Sequence, residues 1–241
     1  MVRNPSLLAA LAVSRAFSGV DSALLDRIAA QTVQHRYARG EQIFAAGERA
    51  LWLGVVMNGL VRLEREGKEC GTAVALFGPR ETVGSVAVCD DGSYPVTAFA
   101  AAEGTHVACV DAAFVHELAA RDLAVAQGMI RALTDHSRAL HARLGVASAG
   151  PVERRLVTLF LHLLERFGDQ LEDGSWSIPV ALSRAELAAF TDTTTESAIR
   201  TMSRWQKRGL VTTSRQGFVL PDLARLRALL TEAGDGRTVA A

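Results

Sequence analysis

Long apolar runs are missing from this sequence. No stretch approaches the ~18 consecutive apolar residues that a membrane-spanning helix needs, which excludes that architecture. Arg3 followed by Leu7–Val13 has a faint likeness to a secretion signal, but the run is short, Arg15 interrupts it and no A-x-A site follows. An amphipathic helix is the better reading, and a soluble, cytoplasmic protein is expected. Cysteine is scarce: Cys70, Cys89 and Cys109 are odd in number and lack C-x-x-C spacing, which fits free thiols in a reducing compartment better than a disulfide framework. Joint metal ligands are lacking too. His35, His106, His116 and His162 are scattered, and His136 and His141 are five residues apart, off a common helix face. There is no P-loop, HExxH, GxSxG or glycine-rich strand-to-helix loop, and Asp90-Asp91 reads as a solvated turn. No enzyme activity, metal or cofactor is expected. Net charge is missing as well, with 26 basic and 26 acidic residues, so any polyanion-binding surface has to arise from local segregation.

What is present is a chain of 241 residues, 49% hydrophobic, enough for one large or two small packed domains. Helical patterns open it at Ser6–Phe17 and Asp21–Gln31, the second with Asp21 as N-cap. From Val33 to Val110 short β-rich runs follow: Leu51–Met57, Leu60–Leu63, Thr72–Phe77, Val96–Ala100 and His106–Val110. Turns at Asn58-Gly59, Glu66-Gly67 and Asp91-Gly92 separate them, as in a β-sandwich or β-roll.

Helical periodicity returns after Asp111 and lasts to Ser148. Within it Leu123, Ala126, Ile130, Leu133, Ser137, Leu140, Leu144 and Ala147 alternate spacings of three and four, a heptad seam with one polar interruption. The competing reading, a helix lying on its own domain, usually shows a wider apolar stripe. The narrow seam, flanked by Arg131, Asp135, Arg138 and Arg143, predicts pairing with a second copy of the chain. At Ala149-Gly150-Pro151 the helix breaks. Beyond lie a helix over Val152–Phe167, with Leu156, Leu159, Phe160, Leu163 and Leu164 on its buried side, and a polar loop at Gly168–Ser175. The class is α+β, and the expected domains are a sensor over 1–121, a dimerisation helix over 122–149 and a third unit over 150–241.

That third unit carries the function. Ser183-Arg184-Ala185-Glu186 has the capping-box form, and Thr193-Thr194-Thr195-Glu196 offers a second. They open two short helices around a turn at Thr191-Asp192, the second helix reading over Thr193–Arg208 and closed by Gly209. Leu210–Ser214 and Phe218–Leu220, turning at Arg215-Gln216-Gly217, form a β-hairpin, and a last helix runs from Asp222 to about Thr231. This is a winged helix-turn-helix. Its basic residues, Arg184, Arg200, Arg204, Lys207, Arg208 and Arg215, lie mostly along or after the second helix, while Glu186 and Glu196 sit near helix starts, where they favour the dipole. The hydroxyls of Thr193, Thr194 and Thr195 and the free N–H groups there suit phosphate.

Four segments resemble the catabolite-activator and fumarate/nitrate-reduction (Crp/Fnr) family of bacterial transcription regulators over nearly the whole chain. They are Ile43–Glu48, Leu51–Val61 with Asn58-Gly59, the long helix, and Leu182–Ala188 followed by Thr195–Arg200. The resemblance implies a β-roll like a cyclic-nucleotide-binding domain, a dimerisation helix and a DNA-reading helix. It places Glu196 and Arg200 as base readers, flanked by Thr195, Ser197 and Ile199, and Ser183, Thr193, Thr194, Arg204 and Arg215 complete the expected DNA-binding set. The chemistry agrees, since arginine can pair with guanine O6 and N7 and glutamate can accept from cytosine N4. Thr195 stands where some members carry arginine, which should alter the preferred half-site. A homodimer on a palindromic duplex, with RNA polymerase as a further partner of an activator, is the expected assembly. The effector side departs from the family. Nucleotide-binding members carry Gly-Glu and, about ten residues on, Arg-Ser; here the matching positions hold Gly84-Ser85 and Pro95-Val96. A phosphate there would lose its charge-assisted partner, so control by cyclic AMP is not expected. The clustered N-terminal cysteines of iron–sulfur members are also missing. The candidate effector pocket is Gly84, Ser85, Val86, Tyr94, Pro95 and Val96 with Leu140 and His141, its ligand unnamed. A β-roll module whose main task is small-molecule or redox sensing is the alternative.

Overall fold

Short β-rich runs in the N-terminal half build eight strands among the described residues, 5–65 and 72–232 of the computed structural model. They are β1 (Thr32–Tyr37), β2 (Gln42–Phe44), β3 (Trp52–Asn58), β4 (Val61–Arg65), β5 (Thr72–Phe77), β6 (Thr82–Val83), β7 (Thr97–Ala100) and β8 (Thr105–Asp111). Two antiparallel sheets result, ordered β1-β8-β3-β6 and β2-β7-β4-β5, and their inner faces share one core with Val55, Val61, Leu63, Ala98 and Val107. This is the expected β-roll. The five strand runs read from the sequence correspond to β3, β4, β5, β7 and β8, each end within two residues. Strands β1, β2 and β6 are additions. The turn expected at Glu66-Gly67 and Cys70 lie outside the described residues.

Helices flank the roll. The first, α1 (Pro5–Val13), ends four residues before the expected Phe17. Ser14 is the reason: it is buried, and both its backbone N–H and its hydroxyl donate to the Leu11 carbonyl, turning the chain away. Helix α2 (Ser22–Ala30) starts where expected, with the Asp21 carboxylate accepting from the Leu24 N–H at 3.0 Å. A short α3 (Ser85–Cys89) follows β6.

The long periodic stretch divides into α4 (Ala112–Arg121) and α5 (Leu123–Ser148). Asp122 makes the break, since its N–H ends α4 on the Leu118 carbonyl while its carboxylate accepts from the Val125 N–H at 3.1 Å. Along α5 run two stripes. Val125, Met129, Ala132 and Ala139 are buried, and all but Ala132 belong to the core shared with the roll. The heptad positions lie on another face. Leu123, Ile130 and Leu144 are 73%, 63% and 64% exposed; Ser137 is exposed, and Ala126, Leu133, Leu140 and Ala147 are half-buried. All four charged residues that flank the seam have partners within the chain: Arg138 pairs with Asp135 at 3.4 Å, and Arg143 donates to the Ala189 carbonyl at 3.3 Å. Arg131 donates to the carbonyls of Arg15 (3.1 Å) and Ser18 (2.7 Å), and Asp135 takes Arg15 bidentately at 2.7 and 2.8 Å. The segment these bonds hold lies so close that a Cβ on Gly128 would sit 1.6 Å from the Ala16 carbonyl oxygen, so no larger residue fits there.

By internal contacts the chain divides into two compact units, Met1–Leu140 and His141–Ala241, with the boundary inside α5. The second unit contains the end of α5, then α6 (Val152–Phe167), β9 (Asp169–Gln170), β10 (Trp176–Ile178), α7 (Arg184–Thr191), α8 (Thr195–Lys207), β11 (Thr212–Thr213), β12 (Phe218–Leu220) and α9 (Leu223–Glu232). Leu156, Leu159, Phe160, Leu163 and Leu164 of α6 are buried as the 3.6-residue period implies. Phe160 sits between Trp205 and Phe218 in two edge-on contacts, at 5.6 and 4.8 Å between centroids. Each such pair adds about 0.5–1.5 kcal/mol beyond area burial, which ties α6, α8 and β12 into one core. The loop read at Gly168–Ser175 is instead largely a hairpin between β9 and β10, and β10 pairs with β12.

Candidate nucleic-acid interface

Two capped helices form the centre of the second unit. At α7 both halves of the expected box are made: the Ser183 hydroxyl accepts from the Glu186 N–H (3.1 Å), and the Glu186 carboxylate accepts from the Ser183 N–H (2.6 Å). The second box is displaced from its expected place. Asp192 ends α7 in the left-handed region (φ 54°), and the Thr193 N–H is then used on the Ala188 carbonyl. Thr193 therefore belongs to the turn, and Thr194 is the N-cap, accepting from the Ser197 N–H at 3.2 Å. Glu196 becomes the second residue of the helix rather than the reciprocal partner of a box.

Helix α8 has two faces of opposite character. Ala198, Thr201, Met202 and Trp205 are buried. Thr195, Glu196, Ile199, Arg200 and Ser203 are exposed, at the i, i+3, i+4 spacing of one stripe. Thirteen residues give about 20 Å of helix, a length and width that the major groove of duplex DNA accepts. Ile199, 45% exposed, places an apolar side chain between the two charges. The Glu196 carboxyl is held below its usual range by its own backbone N–H and the Thr194 hydroxyl, with Arg200 adding a smaller attraction. It is thus an acceptor at any neutral pH. The Arg200 guanidinium donates to the Ser197 hydroxyl at 3.2 Å, and the Thr194 hydroxyl oxygen lies 3.1 Å from the same oxygen. These bonds place Thr194, Ser197 and Arg200 together beside Glu196, at the positive end of the helix dipole.

Arg204 has a different setting from the one expected. Its guanidinium pairs with the Glu153 carboxylate of α6 at 3.1 Å, and the same carboxylate oxygen accepts from the Trp205 indole N–H at 2.9 Å. Glu153 thereby fastens the back of α8 to α6, and Arg204 serves that anchor. Nothing in the sequence pattern singles out Glu153, fifty-two residues from Trp205.

The wing is a hairpin of β11 and β12 in the register Thr212↔Val219 and Thr213↔Phe218, closed by the Ser214 N–H on the Gly217 carbonyl at 2.8 Å. Arg215 stands exposed at its tip. The sheet extends as β11-β12-β10-β9, so the wing is the edge of a four-stranded structure. Gly217 allows the close approach: a Cβ there would lie 2.0 Å from the Ile178 carbonyl oxygen. Arg184 reaches across to the Thr213 hydroxyl at 3.1 Å and fixes the wing to the first helix.

In the first unit, the candidate effector residues come together only in part. Gly84, at φ 81°, precedes α3, and a Cβ on it would lie 3.0 Å from the Tyr94 ring. Ser85, Tyr94 and Val96 are buried, and Pro95 is exposed. Tyr94 stacks on Phe44 (3.8 Å, 17°), lies tilted against Trp52, and donates its hydroxyl to the Trp52 carbonyl at 3.0 Å. Burial pushes its ionisation well up. Ser85, Tyr94 and Val96 are therefore packed core, no cation stands in either segment, and Pro95 lacks even a backbone N–H. Val86 is half-buried on α3. Leu140 and His141 lie on α5, on either side of the unit boundary. At both described cysteines burial disfavours the thiolate. Cys109 is buried and pushed up to about 12, and partial burial also raises Cys89, whereas sensing thiols need a depressed value. Among the described residues no three His, Cys, Asp or Glu side chains converge as metal ligands, and no helix is long and apolar enough to cross a membrane.

Comparison with known proteins adds to this geometry. The model of the Crp-like helix-turn-helix domain matches residues 154–229, and that of the cyclic nucleotide-binding domain matches residues 34–122. Solved structures share the fold across both units. FixK2 from Bradyrhizobium japonicum is 20% identical with a TM-score of 0.69, over 87% of this chain and 99% of that one. A CRP-family transcriptional regulator from Thermus thermophilus is 24% identical with a TM-score of 0.67, over 86% and 100%. A CooA mutant from Carboxydothermus hydrogenoformans is 16% identical with a TM-score of 0.70, over 95% and 98%. No curated protein matches in sequence.

Proposed function

Because the chain belongs to the Crp/Fnr family and is a DNA-binding transcription regulator, we propose that it binds an imperfect palindrome as a homodimer, paired along the outward stripe of α5. One observation carries the reading: α8 is clamped from behind by Glu153 and presents Glu196, Ile199 and Arg200 together on its free face. Arg200 pairs with a guanine, and Glu196 accepts from a cytosine amino group. The hydroxyls of Ser183, Thr193, Thr194, Thr195 and Ser197 and the wing-tip Arg215 meet phosphates and set the register. Arg200→Ala then weakens specific binding by roughly 1–3 kcal/mol at one base pair. Unchanged discrimination of that pair in a gel-shift competition refutes the assignment.

Cyclic AMP does not control this protein through the family's usual contacts. Tyr94, Pro95 and Val96 supply no cation for a phosphate, and the Tyr94 ring already packs on Phe44. Calorimetric titration with cyclic AMP should give no micromolar binding; a micromolar dissociation constant overturns this part.

A further inference from the structure

Arg143 is nearly out of solvent, its side chain 14% exposed, on the last two turns of α5. Its guanidinium donates to the Ala189 carbonyl at 3.3 Å and lies 4.0 Å from the Asp192 carboxylate. Both acceptors belong to the end of α7 and the turn into α8. Arg155 of α6 closes on the same turn, donating to the Asp192 carbonyl at 2.8 Å. The last carbonyls of a helix have no partner within it and carry the negative end of the dipole, so two guanidinium groups there satisfy both needs. A solvated surface pair would leave the arginine charge at its ordinary strength. Here burial opposes that charge and Asp192 only partly restores it; the side chain is placed by its two acceptors. The next residue, Leu144, is 64% exposed on the heptad face, and Ala147 continues that face one turn on. A single helical turn thus carries a seam residue on one side and a clamp on the helix-turn-helix on the other.

We infer that Arg143 is a positioning residue that sets which separation of half-sites the protein accepts. It fixes the α7–α8 turn to the segment through which two copies pair. The inference rests on the homodimer reading above. With the clamp in place, each reading helix is held to the part of the seam that carries Leu144 and Ala147. Without it, each α8 still reads its own half-site, but the pair loses a defined separation.

The test starts from palindromes selected by the wild-type protein out of random duplexes. One base pair is then inserted or removed at the centre, and a duplex with a single half-site is made beside them. Wild type, Arg143→Met and Arg143→Lys are compared by gel shift, with light scattering to monitor the dimer. The apolar Met stem keeps the packing and removes the fork. The expected result for R143M is an intact dimer, unchanged half-site affinity, roughly tenfold weaker binding to the parent palindrome, and a smaller penalty for the central insertion. R143K keeps the charge but cannot span both acceptors, and it should fall between the two. A wild-type spacing penalty in R143M overturns the inference, as does equal weakening on half-site and palindrome, which marks a merely structural role. Should R143M fail to fold, R143K decides by the same criterion: a wild-type penalty refutes. Wild-type protein that selects only single half-sites, or binds as a monomer, overturns the homodimer reading itself whatever the variants do.

Discussion

Ile130→Ala removes an apolar side chain that the folded chain leaves 63% exposed, on a face of α5 that its own core does not use. Fully burying an isoleucine stabilises by about 1.5–3 kcal/mol. Covering the two-thirds still open is therefore worth roughly 1–2 kcal/mol per chain on the same scale. A two-fold interface contains the residue twice, giving about 2–4 kcal/mol per dimer. The dimer dissociation constant should rise roughly 30- to 1000-fold. The fold of each chain should be unaffected within about 0.5 kcal/mol, as for surface substitutions generally, because alanine is the better helix former. Sedimentation over a dilution series reads the first quantity and urea unfolding of the dissociated chain the second. Met129→Ala, one residue away and 7% exposed, supplies the opposite signature: about 2–5 kcal/mol of lost fold stability, the usual cost of cutting a core methionine. A dissociation constant that moves less than threefold in I130A, which is about 0.6 kcal/mol, refutes the outward stripe as the interface.

Three further outcomes follow from the geometry. Glu153→Ala leaves the buried Trp205 indole N–H without its acceptor and should cost about 1–3 kcal/mol in urea unfolding; a change under about 0.5 kcal/mol, within the surface range, contradicts the anchor. Ser183→Ala removes the acceptor for the Glu186 N–H and should cost about 1 kcal/mol, read as a lower melting temperature, whereas an unchanged value shows that the cap is dispensable. Burial lowers the imidazoles of His136 and His162 from 6.5, so below that value the unfolded chain takes up protons that the folded chain refuses. Stability is full above pH 6.5 and is lost as pH falls toward the folded values; a melting temperature that is flat or rises on acidification through that window, once H136Q and H162Q are used as controls, removes these two residues as the cause.

Local chemistry explains which features could be read from the sequence. The Ser183 box needs only residues three apart, and its two bonds form as written. Short β-rich runs bounded by turns likewise located β3, β4, β5, β7 and β8, because both signals are local. The heptad positions were visible for the same reason, although the spacing alone could not show that Arg131 and Asp135 would be taken by residues 15–18. Features set by distant partners were not legible. The N-cap of α8 lies at Thr194 rather than Thr193 because Asp192 turns left-handed and the Thr193 N–H is used on the Ala188 carbonyl. Strands β9 and β10, two and three residues long, have too few side chains for any period to register; β10 exists through pairing with β12, and β9 through pairing with β10. The Glu153–Trp205 bond is invisible to any local pattern. In the roll, the sequence showed the missing arginine and carboxylate, but the Phe44–Tyr94–Trp52 stack depends on three segments meeting.

Because β12 is hydrogen-bonded on both sides, to β11 and to β10, the wing is a stub on a plate rather than a flap on a hinge. Its tip has only Ser214 to Gly217 in which to flex. An arginine carried on so short a lever loses little freedom when it meets a phosphate, so Arg215 should contribute more through a slow off-rate than its single charge suggests.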